Sequence, residues 1–326
     1  MSISVLDRKM LWGRSGMRCA ICQVVLAPRD ELGGSTIIGE EAHIVARSPA
    51  GPRGDGPLTA EQRDRYSNLI LLCPTDHTKI DSEPHGASEY SSERLLEIKR
   101  RHEEAVLAGG QIDSNLQVAE EQWATLIDRL SEIIGWNNWT DDMSGLFDPN
   151  VYRIKFAVLD RISATCQWII GRSWPTGHDR LRSAIETLPM VFYDFHRTFA
   201  VHSEPAHLPD YLTISKFFHL REWDPELWEK RHNEYEEHVE LIEDLMLELT
   251  RYGNLIAKLV REEIDSFFRF EEGLLLVVVG PTEALEYVTF GPQFSDAELE
   301  GGEPYQNPDQ FRKIRSTRTP HAKQWH

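Results

Sequence analysis

The sequence predicts an α+β protein in two parts: a small, metal-stapled N-terminal domain of short strands and helices, then a larger, mostly α-helical domain with a short C-terminal β-hairpin. Three observations predict this. Cys19, Cys22 and Cys73 fall in the first quarter of the chain, where close Cys pairs point to metal rather than disulfides. Residues 107–117 (LAGGQIDSNLQ) have the glycines and small polar residues of a linker. From residue 118 to about 270, apolar residues recur at helical spacing.

In the first part, Arg8 to Trp12 suits a helical turn, and Cys19 to Cys22 suits a metal knuckle. Thr36 to Val45 reads as a strand, while Ser48 to Leu58 (SPAGPRGDGPL) is too rich in Pro and Gly for a regular element. Asn68 to Leu72 is an apolar run of strand length, and a helix is expected from Pro74. Ser91 or Ser92 suits the N-cap of a helix reaching about Val106. The domain is drawn as 1–108, the linker as 109–117 and the second domain as 118–326.

In the second domain, helices are expected at about 118–134, 149–171, 178–200 and 225–268. The last is the most regular. Tyr235, Ile242, Leu249 and Ile256 recur every seven residues, interleaved with His238, Leu245, Tyr252 and Leu259. That is an a/d seam, suited either to an intramolecular bundle or to a coiled coil with a second copy or a protein partner. Leu274 to Val279 and Leu285 to Phe290 read as two strands around Gly280–Pro281, and a flexible tail is expected from about 295.

Charge is unevenly placed. The net charge is −18, yet residues 1–105 hold 14 Lys and Arg against 16 Asp and Glu. The acidic excess therefore sits in the remainder, which is repelled by nucleic acid while the first third is nearly neutral. No apolar run approaches the roughly 18 residues of a membrane span, and residues 1–10 lack a signal-peptide pattern. A cytoplasmic protein without membrane contact is expected.

Four features follow one another in the first 81 residues: Cys19-x-x-Cys22, then Glu41-Ala42-His43-Ile44, then Asn68-Leu69-Ile70-Leu71-Leu72-Cys73, then Asp76-His77 and Asp81. From Asn68, the Cys lies five residues on, the His nine and the last polar residue thirteen. In this order and spacing they resemble the HNH (ββα-metal) endonuclease family, over residues 11–81 and as far as 106 if the next helix is counted. Neighbouring text, LWGRSG before the first Cys pair and AHIVARSPAGPRG around the His, is similar to that family too.

The resemblance implies a phosphodiester hydrolase. His43 would be the general base, since an imidazole titrates near neutral pH. Asn68 would clamp the loop that carries it. His77 and Asp81, four apart and so on one helix face, would hold a divalent cation such as Mg²⁺, Mn²⁺ or Ni²⁺. Cys19, Cys22, Cys73 and Asp76 would hold a structural zinc, with His77 the competing fourth ligand. Arg47, Arg53, Arg63, Arg65 and Lys79 are the expected phosphate contacts. The sequence departs from the family at Ala42, where many members carry a third cation ligand, and the role of Glu41 is open. Cys166 reads as a buried thiol.

A DNA endonuclease is thus expected, in a layout similar to bacterial antiphage and restriction effectors, with the acidic domain sensing a trigger or partner. The alternatives are a metal-bound scaffold without catalysis and a nuclease acting on structured RNA.

Overall fold

The structure, a computed structural model, describes residues 3–28, 36–82, 86–109, 114–281, 285–302 and 304–318. The chain divides into two units, Met1–Asp128 and Arg129–His326.

In the first unit, helix α1 (Val5–Arg14) precedes strand β1 (Glu40–His43), the short α2 (Ala60–Arg63), strand β2 (Leu69–Leu72), α3 (Pro74–Asp81), α4 (Gly86–Glu89) and α5 (Ser92–Ala108). Strands β1 and β2 are antiparallel, with Glu40 opposite Leu72 and His43 opposite Leu69. All four residues of β2 are buried. Its unbroken LILL run is explained by cover on both sides, since α1, α3 and α5 all pack on it. Helix α3 begins where Cys73 accepts a hydrogen bond from the Asp76 N–H and Pro74 occupies the first turn, a position whose missing N–H costs nothing. Helix α5 is capped by Ser91.

Helix α6 (Ser114–Ile134) runs through the division of the chain. Its Asp128 carboxylate accepts the Val5 and Leu6 N–H groups at 3.0 Å each, satisfying two open donors at the start of α1. The linker expected over 109–117 overlaps the start of this helix. From Ser114 the chain is helical, residues up to Asp128 belong to the first unit, and only 110–113 lie outside the described residues. Local composition suggested a loop; the hydrogen bonds to α1 are long-range and invisible to it.

The second unit continues with α7 (Trp139–Met143), β3 (Arg153–Lys155), α8 (Phe156–Ile170), α9 (Asp179–Ala200), β4 (Ser203–Pro205), β5 (Tyr211–Ile214) and α10 (Pro225–Glu263). The chain then forms β6 (Val277–Val279), β7 (Val288–Phe290), α11 (Asp296–Glu300) and α12 (Pro308–Ile314). Helix α10 packs chiefly on α9. Its seam residues Tyr235, Ile242, Leu245, Leu249, Tyr252, Ile256 and Leu259 are all buried by the chain itself. Gly253, out of place in a seam, lies where a Cβ would come within 2.5 Å of Leu275 Cδ1.

Strands β6 and β7 pair antiparallel. The three-stranded sheet β3–β5–β4 was not foreseen, because strands of three and four residues are too short to show a period. Over its described residues, the segment from 295 where a flexible tail is expected carries α11 and α12. Tyr305 and Phe311 are fully buried, and Arg312, Arg315 and Arg318 pair with the buried carboxylates Asp194, Asp244 and Glu248. A polar tail looks solvated by composition, but burying those carboxylates requires partners. Among the described residues, no helix is long and apolar enough to cross a membrane.

Candidate metal centre and active site

Cys19, Cys22, Cys73 and Asp76 converge, with one ligand atom from each lying within 4.8 Å of all the others. The four groups are close enough to bind a metal ion. Asp76 Oδ2 lies 3.1 Å from the Cys19 sulfur and 3.3 Å from that of Cys73, and Cys22 and Cys73 sulfurs are 3.7 Å apart. Two turns build the cluster. The knuckle at 19–22 is closed by a Gln23 N–H donating to the Cys19 carbonyl, and Cys73 and Asp76 share the first turn of α3. Burial, with hydrogen bonding to Asp76, pushes the Cys22 thiol up to about 12. Burial also raises Cys19. For Asp76 burial acts upward, but the three thiols donating to it outweigh that and hold it below the usual carboxylate range. A bound cation would reverse the thiol shifts, because thiolates are the ligating form.

Between the two sequence candidates for the fourth ligand, the structure brings Asp76 into the cluster and turns His77 elsewhere. His77 Nδ1 lies 2.6 Å from Glu40 Oε2, and its Nε2 is 3.4 Å from Asp81 Oδ2. Hydrogen bonding to Asp81 raises the His77 pKa, against burial and with help from Glu40. Asp81 is held low by His77 and by Arg53, which together outweigh its burial. Glu40 is the residue that sequence reasoning missed here. It lies two before Ala42, so on a strand both face the same side. Strand alternation is the signal that finds it, since Glu41, the neighbour next to Ala42, points to the other side of β1. Glu41 instead accepts hydrogen bonds from Arg8 Nε at 2.8 Å and Trp12 Nε1 at 2.9 Å, a structural role.

His43 closes β1 with its side chain 22% exposed, and its Nε2 lies 3.1 Å from Asp64 Oδ1. Asn68 is buried just before β2. Its Oδ1 accepts the Val45 N–H at 3.0 Å, and its Nδ2 donates to the carbonyls of Val45 and Arg63 at 2.9 Å each. The amide thus uses both ends to hold the backbone two residues after His43.

The five expected phosphate contacts divide. Arg63 is buried and donates to the carbonyls of Leu58, Ala46, Gly54 and Gly56, so it clamps the Pro/Gly-rich loop from inside. Arg53, with its side chain 6% exposed, donates to the carbonyls of Ile44 and Ile80 and pairs with Asp81. Both guanidiniums are engaged inside the protein, because a loop with no regular element needs its carbonyls satisfied from within. Arg65 is half exposed and pairs with Glu61 and Asp7. Lys79 lies over the Tyr90 ring. Arg47 is exposed, with Nε 3.6 Å from Asp64. Cys166 is partly buried, and burial alone pushes its thiol up to about 12.

No protein-family model and no curated protein matches this chain.

Proposed function

We propose that the first unit is a metal-dependent HNH endonuclease that hydrolyses phosphodiester bonds of DNA, with a structural zinc at Cys19, Cys22, Cys73 and Asp76. One observation carries the reading. The β1–β2–α3 unit carries His43 at a strand end, the Asn68 clamp on the backbone that follows it, and His77 with Asp81 on one face of α3. Those are the parts a hydrolytic site needs: a base, a frame that fixes it, and oxygen and nitrogen donors for a divalent ion.

The donors fit such an ion. His77 Nε2 and Asp81 Oδ2 lie 3.4 Å apart, close enough to share an ion, while Glu40 engages the other ring nitrogen, Nδ1, where it would orient the imidazole. Mixed imidazole and carboxylate sets suit Mg²⁺ or Mn²⁺, with water and phosphate completing the shell. Bound there, the ion supplies charge neutralisation at the phosphate and the leaving oxygen. The protein's own residues do the rest. His43 takes the proton of the attacking water, Asn68 holds the backbone that aims it, and exposed Arg47 beside it meets the phosphate backbone. The acidic second unit serves as the sensing or docking part of an antiphage or restriction effector, limiting idle DNA binding by repulsion.

A second reading, a metal-bound scaffold without catalysis, is favoured by two observations. Asp81 is already paired with Arg53, and Ala42 offers no ligand. Purified protein incubated with plasmid, linear DNA and RNA, with Mn²⁺ or EDTA, separates the readings. The nuclease reading expects Mn²⁺-dependent nicking of DNA, lost by at least about 10²-fold in His43→Ala. Equal activity of wild type and variant favours the scaffold, and cutting confined to RNA reassigns the substrate.

A further inference from the structure

His43 is paired with a residue outside the motif. Its Nε2 faces Asp64 Oδ1 at 3.1 Å, and the Asp64 side chain is 9% exposed. Asp64 follows α2, and its place is held from several sides. Thr59 and Gln62 form a capping box at the start of that helix. The Asp64 N–H donates to the Glu61 carbonyl, and Asn68 binds the carbonyl of the preceding Arg63. The Arg63 side chain is locked into the loop by four carbonyls. A carboxylate so enclosed has few orientations.

A neutral imidazole carries one N–H, and a carboxylate only accepts. The nitrogen facing Asp64 must then be the protonated one, leaving Nδ1 with its lone pair. We propose that Asp64 is the positioning residue of the His43 imidazole, holding the Nε2–H tautomer so that Nδ1 is the proton-accepting atom. The proposal rests on reading His43 as the base. In the step it serves, a water oxygen forms the new bond to phosphorus and gives its proton to Nδ1. The bond from phosphorus to the leaving sugar oxygen breaks, and that oxygen keeps the electron pair and takes a proton from solvent. The imidazolium, now protonated on both nitrogens, is stabilised by a charge-assisted hydrogen bond to Asp64 until it returns its proton to solvent.

The test has one arm independent of activity. Two-bond ¹H–¹⁵N spectra of the ring nitrogens are recorded at about pH 8, where an ordinary imidazole is neutral, with His43 assigned from His43→Gln. Wild type should show the Nε2–H form, and Asp64→Ala a mixture. In Mn²⁺-supported plasmid cleavage, Asp64→Ala should lower kcat about 10- to 10³-fold with KM little changed, and Asp64→Glu should recover much of the loss. Should Asp64→Ala fail to fold, the isosteric Asp64→Asn replaces it, with Nδ1–H expected to appear because an amide can donate to Nε2. An Nδ1–H wild type, or an unchanged tautomer or unchanged kcat in Asp64→Ala or Asp64→Asn, overturns the proposal. Should His43→Ala cut as fast as wild type, the base assignment falls and takes the proposal with it. Inactive His43→Ala beside fully active Asp64→Ala removes the role of Asp64 alone.

Discussion

Arg53 and Asp81 form an ion pair at 2.5 Å, and the same guanidinium donates to the carbonyls of Ile44 at 2.6 Å and Ile80 at 2.8 Å. One side chain therefore ties the residue after His43 to the C-terminal end of α3, where Asp81 sits. The proposed base and the proposed cation ligands are held on one frame by an arginine from a loop without regular structure.

Arg53→Met should therefore destabilise the first unit by about 2–4 kcal/mol, since two backbone carbonyls and a carboxylate lose their partner. Arg53→Lys should recover only part of this, because one ammonium cannot reproduce the fork. Urea unfolding of wild type and both variants measures it; equal midpoints would refute the clamp.

The thiolate–carboxylate cluster should hold one metal equivalent per chain, counted by elemental analysis after gel filtration. Cys73→Ser should lose it, while Cys166→Ser, remote from the cluster in sequence and absent from it, should keep it. Removing the metal with a strong chelator should lower the melting temperature by several degrees, because the energy of metal binding is folding energy in a small core.

Acid should weaken the second unit through His238. Burial, with His202 alongside, lowers its pKa to about 4 from an ordinary 6.5. Between those values the unfolded chain binds a proton that the folded chain refuses, so stability is full above about 6.5 and is lost as pH falls toward 4. His238→Phe should flatten the stability profile over that window. An unchanged slope would show that His238 is not the group responsible.

Arg318 closes the C-terminal segment onto the core, reaching Glu248 at 3.2 Å and the Pro304 carbonyl at 2.9 Å. Glu248 is fully buried, and burial raises its pKa in spite of Arg251 and Arg318. Arg318→Met should cost about 3–5 kcal/mol, the penalty for breaking a buried pair. Replacing Glu248 by Gln in the same variant should restore part of it. Calorimetry of the single and double variants tests both statements.

Where the residues carried a period or a cap, the sequence was enough. Pro74 and Cys73 start α3, Ser91 starts α5, and the seven-residue spacing of α10 marks the face that is buried. The order Cys19, Cys22, Cys73 likewise marked three of the groups that meet and left the fourth open between Asp76 and His77, a choice that only the fold made in favour of Asp76. What the sequence could not decide depends on partners far along the chain. Arg53 and Arg63 look like surface cations until the loop folds over them. Glu40 meets His77 only once β1 lies against α3, and Asp64 meets His43 only once the residue after α2 comes up to the end of β1. The tail from 295 looks solvated until its arginines find Asp194, Asp244 and Glu248. Spacing determines which side chains share a face, but only the folded chain determines what that face meets, because a buried charge or carbonyl takes whichever partner the tertiary packing delivers.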